Sequence, residues 1–172
     1  MRVGRQVEFA NAITKASSIK DDIIRKTTQL KQLFLAIWIA HDSLQWAHTA
    51  GVYFFTDIKT YNRRGLKFWL AALIVSTLGN LHRLRMNSIR IAHETKAVHL
   101  ARTKGVEDED ARQGIRTLLQ ERQKIVWATV QDGLDILIPA SGLEYVNVQS
   151  GIIGLVGMFT SVLGGYTHWN SL

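Results

Sequence analysis

Three polar side chains, His41, Asp42 and His48, stand in a mostly apolar stretch between residues 33 and 55. Histidine and aspartate can exchange protons or line a polar passage. A carboxylate in the middle of an apolar membrane helix costs roughly 2.5–3.5 kcal/mol on insertion scales unless it has a partner. Two interpretations follow: the three residues are capped or packed within a helical fold, or they form the polar lining of a pore.

No arrangement typical of an enzyme accompanies these residues. The sequence has no nucleophile elbow, phosphate-binding loop or dinucleotide fingerprint. It also has no cysteine, which excludes disulfides, thiolate zinc sites and a cysteine nucleophile. His82, His93 and His99 lack the spacing of a zinc motif, and the acidic run 107–110 lacks that of a calcium loop. We therefore expect no catalytic site, no cofactor and no metal site.

Small side chains recur at helical spacing near the carboxyl end of the chain. Gly157, Ser161 and Gly165 are four residues apart, and Gly154 precedes them by three. Such steps place residues on one helix face, and a face without bulky side chains lets another helix approach closely. Apolar residues fill most other positions, and no charged side chain follows Glu144. The pattern predicts a membrane-spanning helix over 145–167 that packs through these four residues.

The charge of the chain is strongly uneven. The formal net charge is +7, and all 21 Lys and Arg residues lie between Arg2 and Lys124. Beyond Ile125 the charged side chains are Asp132, Asp135 and Glu144. A nucleic-acid module usually carries its basic residues on the same compact fold that supplies the core. The separation instead favours a membrane partner with anionic phospholipids, and we expect no nucleic acid.

The amino-terminal segment 1–20 combines apolar and basic residues at helical spacing. Such a helix can lie in the headgroup layer, where each basic residue near anionic lipid adds roughly 1 kcal/mol. The alternative is a surface helix that packs on its own domain. The residues expected at the membrane surface are Arg2, Arg5, Phe9, Ile13 and Lys15.

The rest of the chain also has helical periodicity, so we predict an all-α fold in a single domain, 1–172. Asp21 or Asp22 can cap an apolar helix over 22–56, and a second apolar helix covers 66–81. Narrow apolar seams on both sides of Gly105 predict an antiparallel hairpin of long helices over 82–130. Together with the glycine-rich helix over 145–167, these elements describe a helical membrane protein.

Several of these residues occur in an order that resembles the peroxin-11 family. The middle of the chain carries part of the resemblance, and the carboxy-terminal third carries a stronger part. The matching residues in the middle are Leu30 to Leu33, Asp42, Trp46, His48, the Ala50-Gly51 turn and Trp69. Those in the final third are Trp127, Gln131 to Pro139, Gly151 to Gly157 and Thr160 to Gly164.

The resemblance implies a non-enzymatic protein of the peroxisomal membrane that promotes peroxisome elongation, proliferation and fission. It further implies a homo-oligomer and a partnership with the fission machinery, such as a dynamin-like GTPase and its adaptor. The family's amphipathic amino-terminal helix inserts into one leaflet, and 1–16 could correspond to its final part. The alternative function is a channel for small metabolites in the same membrane, with His41, Asp42 and His48 as its polar lining.

Overall fold

The computed structural model describes residues 5–103 and 109–169, and every regular element within these ranges is helical. This confirms the predicted all-α class. In chain order the helices are α1 (Arg5–Ala16), α2 (Asp22–Thr49), α3 (Ile58–Thr103), α4 (Glu109–Asp135), α5 (Leu137–Gly142) and α6 (Ser150–Trp169).

Helix α1 packs against α2. On its inner side Phe9 and Ile13 are half-buried and Ala16 is buried, whereas Lys15 is exposed. A helix of 12 residues is marginal by itself in water, so the contact with α2 supplies much of its stability. In this structure α1 therefore adopts the second of the two predicted arrangements, a surface helix on its own domain.

Helix α2 begins where Asp21 caps it. The Asp21 carboxylate accepts hydrogen bonds from the N–H groups of Ile23 and Ile24, both at 3.0 Å. The bond from Ile24 is the largest influence that lowers the pKa of Asp21 below its usual value. His82 Nε2 on α3 lies 3.2 Å from the same carboxylate. The predicted cap is therefore confirmed at Asp21, which also links α2 to α3.

Helix α2 ends earlier than the predicted apolar helix over 22–56. Gly51 adopts a left-handed conformation with φ of 73°. Its N–H donates to His48 O at 3.2 Å, and the N–H of Val52 donates to Ala47 O at 3.0 Å. This pair of bonds closes a helix end around a glycine, because glycine alone has no steric penalty there. Residues 50–57 consequently form a connection, and α2 ends about two turns before the predicted helix would.

Helix α3 is one continuous helix of 46 residues. It includes the predicted helix 66–81 and the first arm of the predicted hairpin, which are therefore not separate elements. It runs antiparallel to α2. Glycines allow the close approach, because a Cβ atom at Gly65 would lie 2.9 Å from His41 Cβ, and one at Gly79 would lie 2.8 Å from Thr27 Oγ1.

Aromatic rings fill the space between these two glycine contacts. The rings of Trp38 and Trp69 stack with centroids 4.7 Å apart, and those of Phe34 and Phe68 are 6.1 Å apart. Stacked or tilted aromatic pairs contribute about 0.5–1.5 kcal/mol beyond the area that they bury. These rings thus hold α2 and α3 together between the two glycine contacts.

Helix α4 returns antiparallel to α3. Asn87 Nδ2 on α3 donates to Leu118 O on α4 at 3.2 Å. Asn80, which is earlier in α3, donates through Nδ2 to Asp132 Oδ2, which is later in α4, at 2.9 Å. The short α5 then places Pro139 and Leu143 in fully buried positions near α3. Helix α6 packs against α4 and α5 and completes the bundle.

The prediction of a membrane-spanning helix over 145–167 is wrong for the described part of the chain. Across residues 5–103 and 109–169, no helix combines the length and the apolar character needed to cross a bilayer. Helix α6 begins only at Ser150, since residues 143–149 form the turn that leaves α5.

Candidate membrane-contact surface and buried polar cluster

Four polar side chains from three helices meet at the centre of the bundle. Lys31 Nζ on α2 donates to Ser76 Oγ on α3 at 2.6 Å, and Ser76 Oγ donates to Asp132 Oδ2 on α4 at 2.5 Å. Asn80 Nδ2 donates to the same Asp132 oxygen, and Lys31 Nζ lies 3.8 Å from Asp132 Oδ1. We call Lys31, Ser76, Asn80 and Asp132 the polar cluster.

Burial makes the polar cluster energetically important. The side chain of Asp132 is 13% exposed and that of Lys31 is 31% exposed, while Ser76 and Asn80 are buried. Removing one partner of a buried charge pair leaves the other uncompensated, which is more costly than breaking a pair at the surface. The cluster therefore fixes how α2, α3 and α4 align with one another.

A second carboxylate, Asp135, lies one turn further along α4. Burial is the main cause of its raised pKa, and the nearby Asp132 carboxylate raises the pKa further. A hydrogen bond with Thr160 on α6 and the charge of Lys31 act in the opposite direction. The Thr160 side chain is itself buried. Asp135 thus connects the polar cluster to α6, although its burial makes the ionised carboxylate less stable than it would be in water.

Many large apolar side chains lie on the outside of the bundle. Within the described ranges, 25 large hydrophobic residues are exposed, whereas the buried hydrophobic residues are Ala16, Ile39, Ala72, Leu73, Ala140 and Leu143. Scattered exposed hydrophobic residues are ordinary, but contiguous apolar patches usually mark a surface that contacts protein or membrane. Polar side chains therefore share the interior with apolar ones, while many large apolar side chains face outward.

One exposed apolar group lies where α2 connects to α3. Phe54 is 76% exposed, and Trp46, Val52 and Tyr53 are also exposed. We call these four residues the aromatic tip. Three exposed basic residues, Lys59, Arg63 and Arg64, follow in the first two turns of α3. Aromatic rings with adjacent basic side chains are the combination that favours the headgroup region of an anionic membrane.

A second exposed apolar group follows one face of α6. Ile152, Leu155, Phe159 and Val162 recur at steps of three and four residues, and all are exposed. We call them the outer face of α6. The opposite side of the helix is turned toward the bundle, where Thr160 is buried and a Cβ at Gly164 would lie 3.2 Å from Gln131 Nε2.

The predicted pore-lining residues have local structural contacts. His41 Nδ1 donates to Ile37 O at 2.8 Å, and its ring lies 5.8 Å from that of Phe68. His48 Nδ1 accepts the N–H of Phe55 at 3.1 Å and so holds the connection after α2. Asp42 is half-buried beside His41. The structure thus assigns both histidines to helix packing and capping, and the pore lining stays a prediction.

The predicted small-residue face of α6 is largely open. A Cβ atom added at Gly154 or Gly165 would meet no other atom within 4 Å, and one at Gly157 would only touch Ile138 Cδ1 at 3.9 Å. Ser161 is exposed as well. Contact within the bundle uses a different face of α6, so packing through these four residues stays a prediction about a second helix.

Of the residues expected at the membrane surface, the structure describes the side chains of Phe9, Ile13 and Lys15. Arg2 and the side chain of Arg5 lie outside the described part of the chain. Because Phe9 and Ile13 face α2, insertion of this face into lipid would require α1 to leave α2. That role stays a prediction, and the described exposed apolar groups lie elsewhere.

The sequence interpretation did not identify the polar cluster. A signal for it was nevertheless present, because Asp132 is one of three charged residues after Ile125, and Ser76 and Asn80 interrupt an uncharged apolar run. An isolated polar residue in an apolar segment usually has a partner when it is buried. Which partner it has depends on how the helices align, and helical periodicity does not specify that.

Fold and surface together define the class of protein: a helical bundle with a polar centre and a large exposed apolar area. Comparison with known proteins then identifies the family. The family model for peroxisomal biogenesis factor 11 (PEX11) matches residues 1–169. The chain therefore belongs to this family of peroxisomal biogenesis factors, as the resemblance in its sequence predicted.

A relative from the fission yeast Schizosaccharomyces pombe supports this assignment. The chain is 29% identical over 98 residues to that organism's peroxisomal biogenesis factor 11. The match covers 57% of this chain and 37% of the relative, so it spans little more than a third of the relative's length. No solved structure matches the chain.

Proposed function

We propose that this chain is a non-enzymatic membrane-remodelling protein that promotes elongation, proliferation and fission of peroxisomes. It acts by inserting exposed apolar side chains into the cytosolic leaflet of the peroxisomal membrane. The observation that carries the proposal is the aromatic tip, because four exposed apolar residues lie beside three exposed basic ones. Family membership supplies the organelle.

Insertion into one leaflet provides the physical link from this surface to membrane shape. Side chains that enter the headgroup region enlarge one leaflet relative to the other, and such binding depends on curvature and lipid composition. The basic residues next to the tip add roughly 1 kcal/mol each near anionic lipid. The outer face of α6 adds a second apolar contact. Many copies on one membrane then favour a tubule over a flat sheet.

Flotation and electron microscopy of liposomes test this proposal. We expect the full chain to float with vesicles that contain anionic phospholipids and to convert some of them to tubules. Tyr53→Asp with Phe54→Asp places two charges in the tip and should strongly reduce both effects. The matched control, Leu100→Asp with Leu119→Asp, makes the same kind of change at two exposed residues of the α3–α4 hairpin.

The control should float and form tubules like the unmodified chain. If the tip variant does so as well, the tip does not contact the membrane. If both pairs reduce flotation equally, binding reflects total hydrophobicity and not this surface.

We further propose that the protein forms homo-oligomers through the open small-residue face of α6. The open space at Gly154 and Gly165 supports this, because a second helix can approach where no side chain intervenes. Gly154→Leu with Ser161→Leu should reduce crosslinked oligomers on membranes. Ile152→Leu with Val162→Leu on the outer face is the matched control. Undiminished crosslinking of the first variant would refute the packing face.

The remaining partners belong to the same proposal. A protein that elongates peroxisomes prepares narrow tubules for scission, and we propose that this chain recruits the fission machinery, a dynamin-like GTPase and its adaptor. Pull-down of both from cell extract with membrane-bound protein, but not with the tip variant, is the expected result. Equal recovery with the tip variant would separate recruitment from membrane binding.

A further inference from the structure

A cleft of about 190 Å³ opens between α2 and α3 beside the polar cluster. This volume is far larger than the roughly 10–15 Å³ that one water molecule requires. Its polar wall is formed by Thr28, Lys31, Gln32, Ser76, Asn80 and Arg83. Among the described residues that line it, two are basic and none is acidic. A polar cleft with net positive charge is suited to an anion.

The two basic residues enter the cleft from different helices. Lys31 on α2 donates to Ser76, and Arg83 on α3 donates to Thr28 Oγ1 at 3.1 Å. A guanidinium has five donors and an ammonium has three, so both groups have donors beyond these bonds. The bonds also hold the two cations in place. A bound anion would therefore meet positive groups that are already oriented.

Uncharged donors complete the wall. The amide of Gln32 and the second N–H of Asn80 Nδ2 can donate to an oxyanion, and so can the hydroxyl of Thr28. Asp132 does not line the cleft but lies behind Ser76 and Asn80, from which its Oδ2 accepts hydrogen bonds. Its charge balances part of the charge of Lys31, whereas Arg83 supplies positive charge on the other side of the cleft.

We propose that this cleft binds a phosphate monoester. Such a group has several oxygens and close to two negative charges, which match one guanidinium, one ammonium and several neutral donors. The monoester can be free in solution or be the headgroup of a phospholipid. For the lipid source the proposal rests on the proposed membrane function, whereas binding of the free ligand does not depend on it.

Two substitutions test the cleft without removing the polar cluster. Arg83→Gln removes one cation, and Gln32→Glu adds a negative charge at nearly constant shape. Arg85→Gln and Gln45→Glu are the matched controls, because they make the same changes on the same helices at residues outside the cleft wall. Circular dichroism of all four variants verifies that the helices are retained.

The first arm of the experiment uses glycerol 3-phosphate and isothermal titration calorimetry with the full chain in a neutral detergent. The second arm uses flotation with phosphatidylcholine vesicles to which phosphatidic acid is added, and compares them with phosphatidylcholine vesicles that contain enough phosphatidylserine to give the same surface charge. Loss of a charge-assisted hydrogen bond should weaken binding about tenfold or more in Arg83→Gln and in Gln32→Glu. Arg83→Lys should recover part of the loss because it restores the charge.

Each outcome decides the question. Binding of glycerol 3-phosphate that the two cleft variants weaken and the two controls do not would establish a site for a free monoester. The same dependence only with phosphatidic acid vesicles would establish a lipid headgroup site. Absence of both, or equal weakening by cleft variants and controls, would overturn the proposal. Tubulation that depends on the aromatic tip would be unaffected by that result.

Discussion

The centre of the α2–α3 pair and the end of the same pair distribute polarity in opposite ways. At the centre, Lys31 and Ser76 reach Asp132 on a third helix, and the buried Ser76 and Asn80 place polar groups inside the bundle. At the end, Trp46 and Phe54 are exposed to solvent. A soluble domain usually has the reverse arrangement. The difference indicates that hydrogen bonds and close helix contacts align the bundle. Its apolar surface is left available for contact with a membrane or a protein.

The largest expected effect is on the polar cluster. Asp132→Ala removes the acceptor of two hydrogen bonds and leaves Lys31 without its countercharge, and we expect a loss of about 3 kcal/mol in the free energy of unfolding. Urea denaturation followed by circular dichroism measures it. Asp22→Ala, which removes an exposed carboxylate paired with Lys26, is the control and should have a much smaller effect. Equal losses would mean that the cluster does not align the helices.

Two tryptophans on α2 provide the next comparison. Trp38 stacks on Trp69, whereas Trp46 is 61% exposed. We expect Trp38→Ala to lower the free energy of unfolding by about 2 kcal/mol, less than for a fully buried tryptophan because Trp38 is only half-buried. Trp46→Ala should leave stability nearly unchanged but reduce flotation with anionic vesicles. The opposite pattern would reverse the assignment of interior and membrane surface.

Gly65 and Gly154 provide a comparison between a glycine in a close helix contact and a glycine that faces open space. Gly65→Ala places a methyl group against His41 Cβ, and separation of α2 and α3 should cost about 1–3 kcal/mol. Gly154→Ala meets open space in α6 and should stabilise the helix by about 0.5–1 kcal/mol. Thermal unfolding measured on both variants gives the sign of each change. Destabilisation by Gly154→Ala would show that its face is already occupied.

The smallest expected effect is the pH dependence due to Asp135. Burial raises the pKa of this carboxyl above its usual value of 3.8. The ionised form of Asp135 is therefore disfavoured in the folded state. Its ionisation lowers the free energy of unfolding, and this loss of stability is present in full above the raised pKa. It disappears as the pH falls toward 3.8, where the unfolded chain also becomes protonated.

Asp135→Asn should consequently be more stable than the unmodified chain near neutral pH, and the difference should shrink as the solution is acidified. The urea midpoint of both proteins, measured across this pH range, tests the expectation. Asp21→Asn is the opposite control, because the pKa of Asp21 is lowered and its stabilisation is lost on acidification. A pH-independent difference for Asp135→Asn would exclude ionisation as the cause.

Local features of the fold were predictable because they depend on neighbouring residues. The cap at Asp21 is an example, since a carboxylate before an apolar run satisfies N–H groups within three residues. The end of α2 at Gly51 was also marked by a glycine, although the apolar residues after it led to a longer predicted helix. The spanning helix over 145–167 was predicted from an uncharged run and from the spacing of its small residues, and neither registers the turn between α5 and α6.

The amino-acid sequence by itself determined the all-α class, the family and the charge separation, because each follows from residue types and short-range spacing. Only the tertiary structure decided that Lys31 meets Asp132, that α1 turns Phe9 and Ile13 toward α2, and that the aromatic tip faces outward. These outcomes depend on which helix faces meet. Several faces of each helix are apolar enough to be buried, so periodicity does not specify which face meets a neighbour. The hydrogen bonds of the polar cluster and the close contacts at glycines specify it.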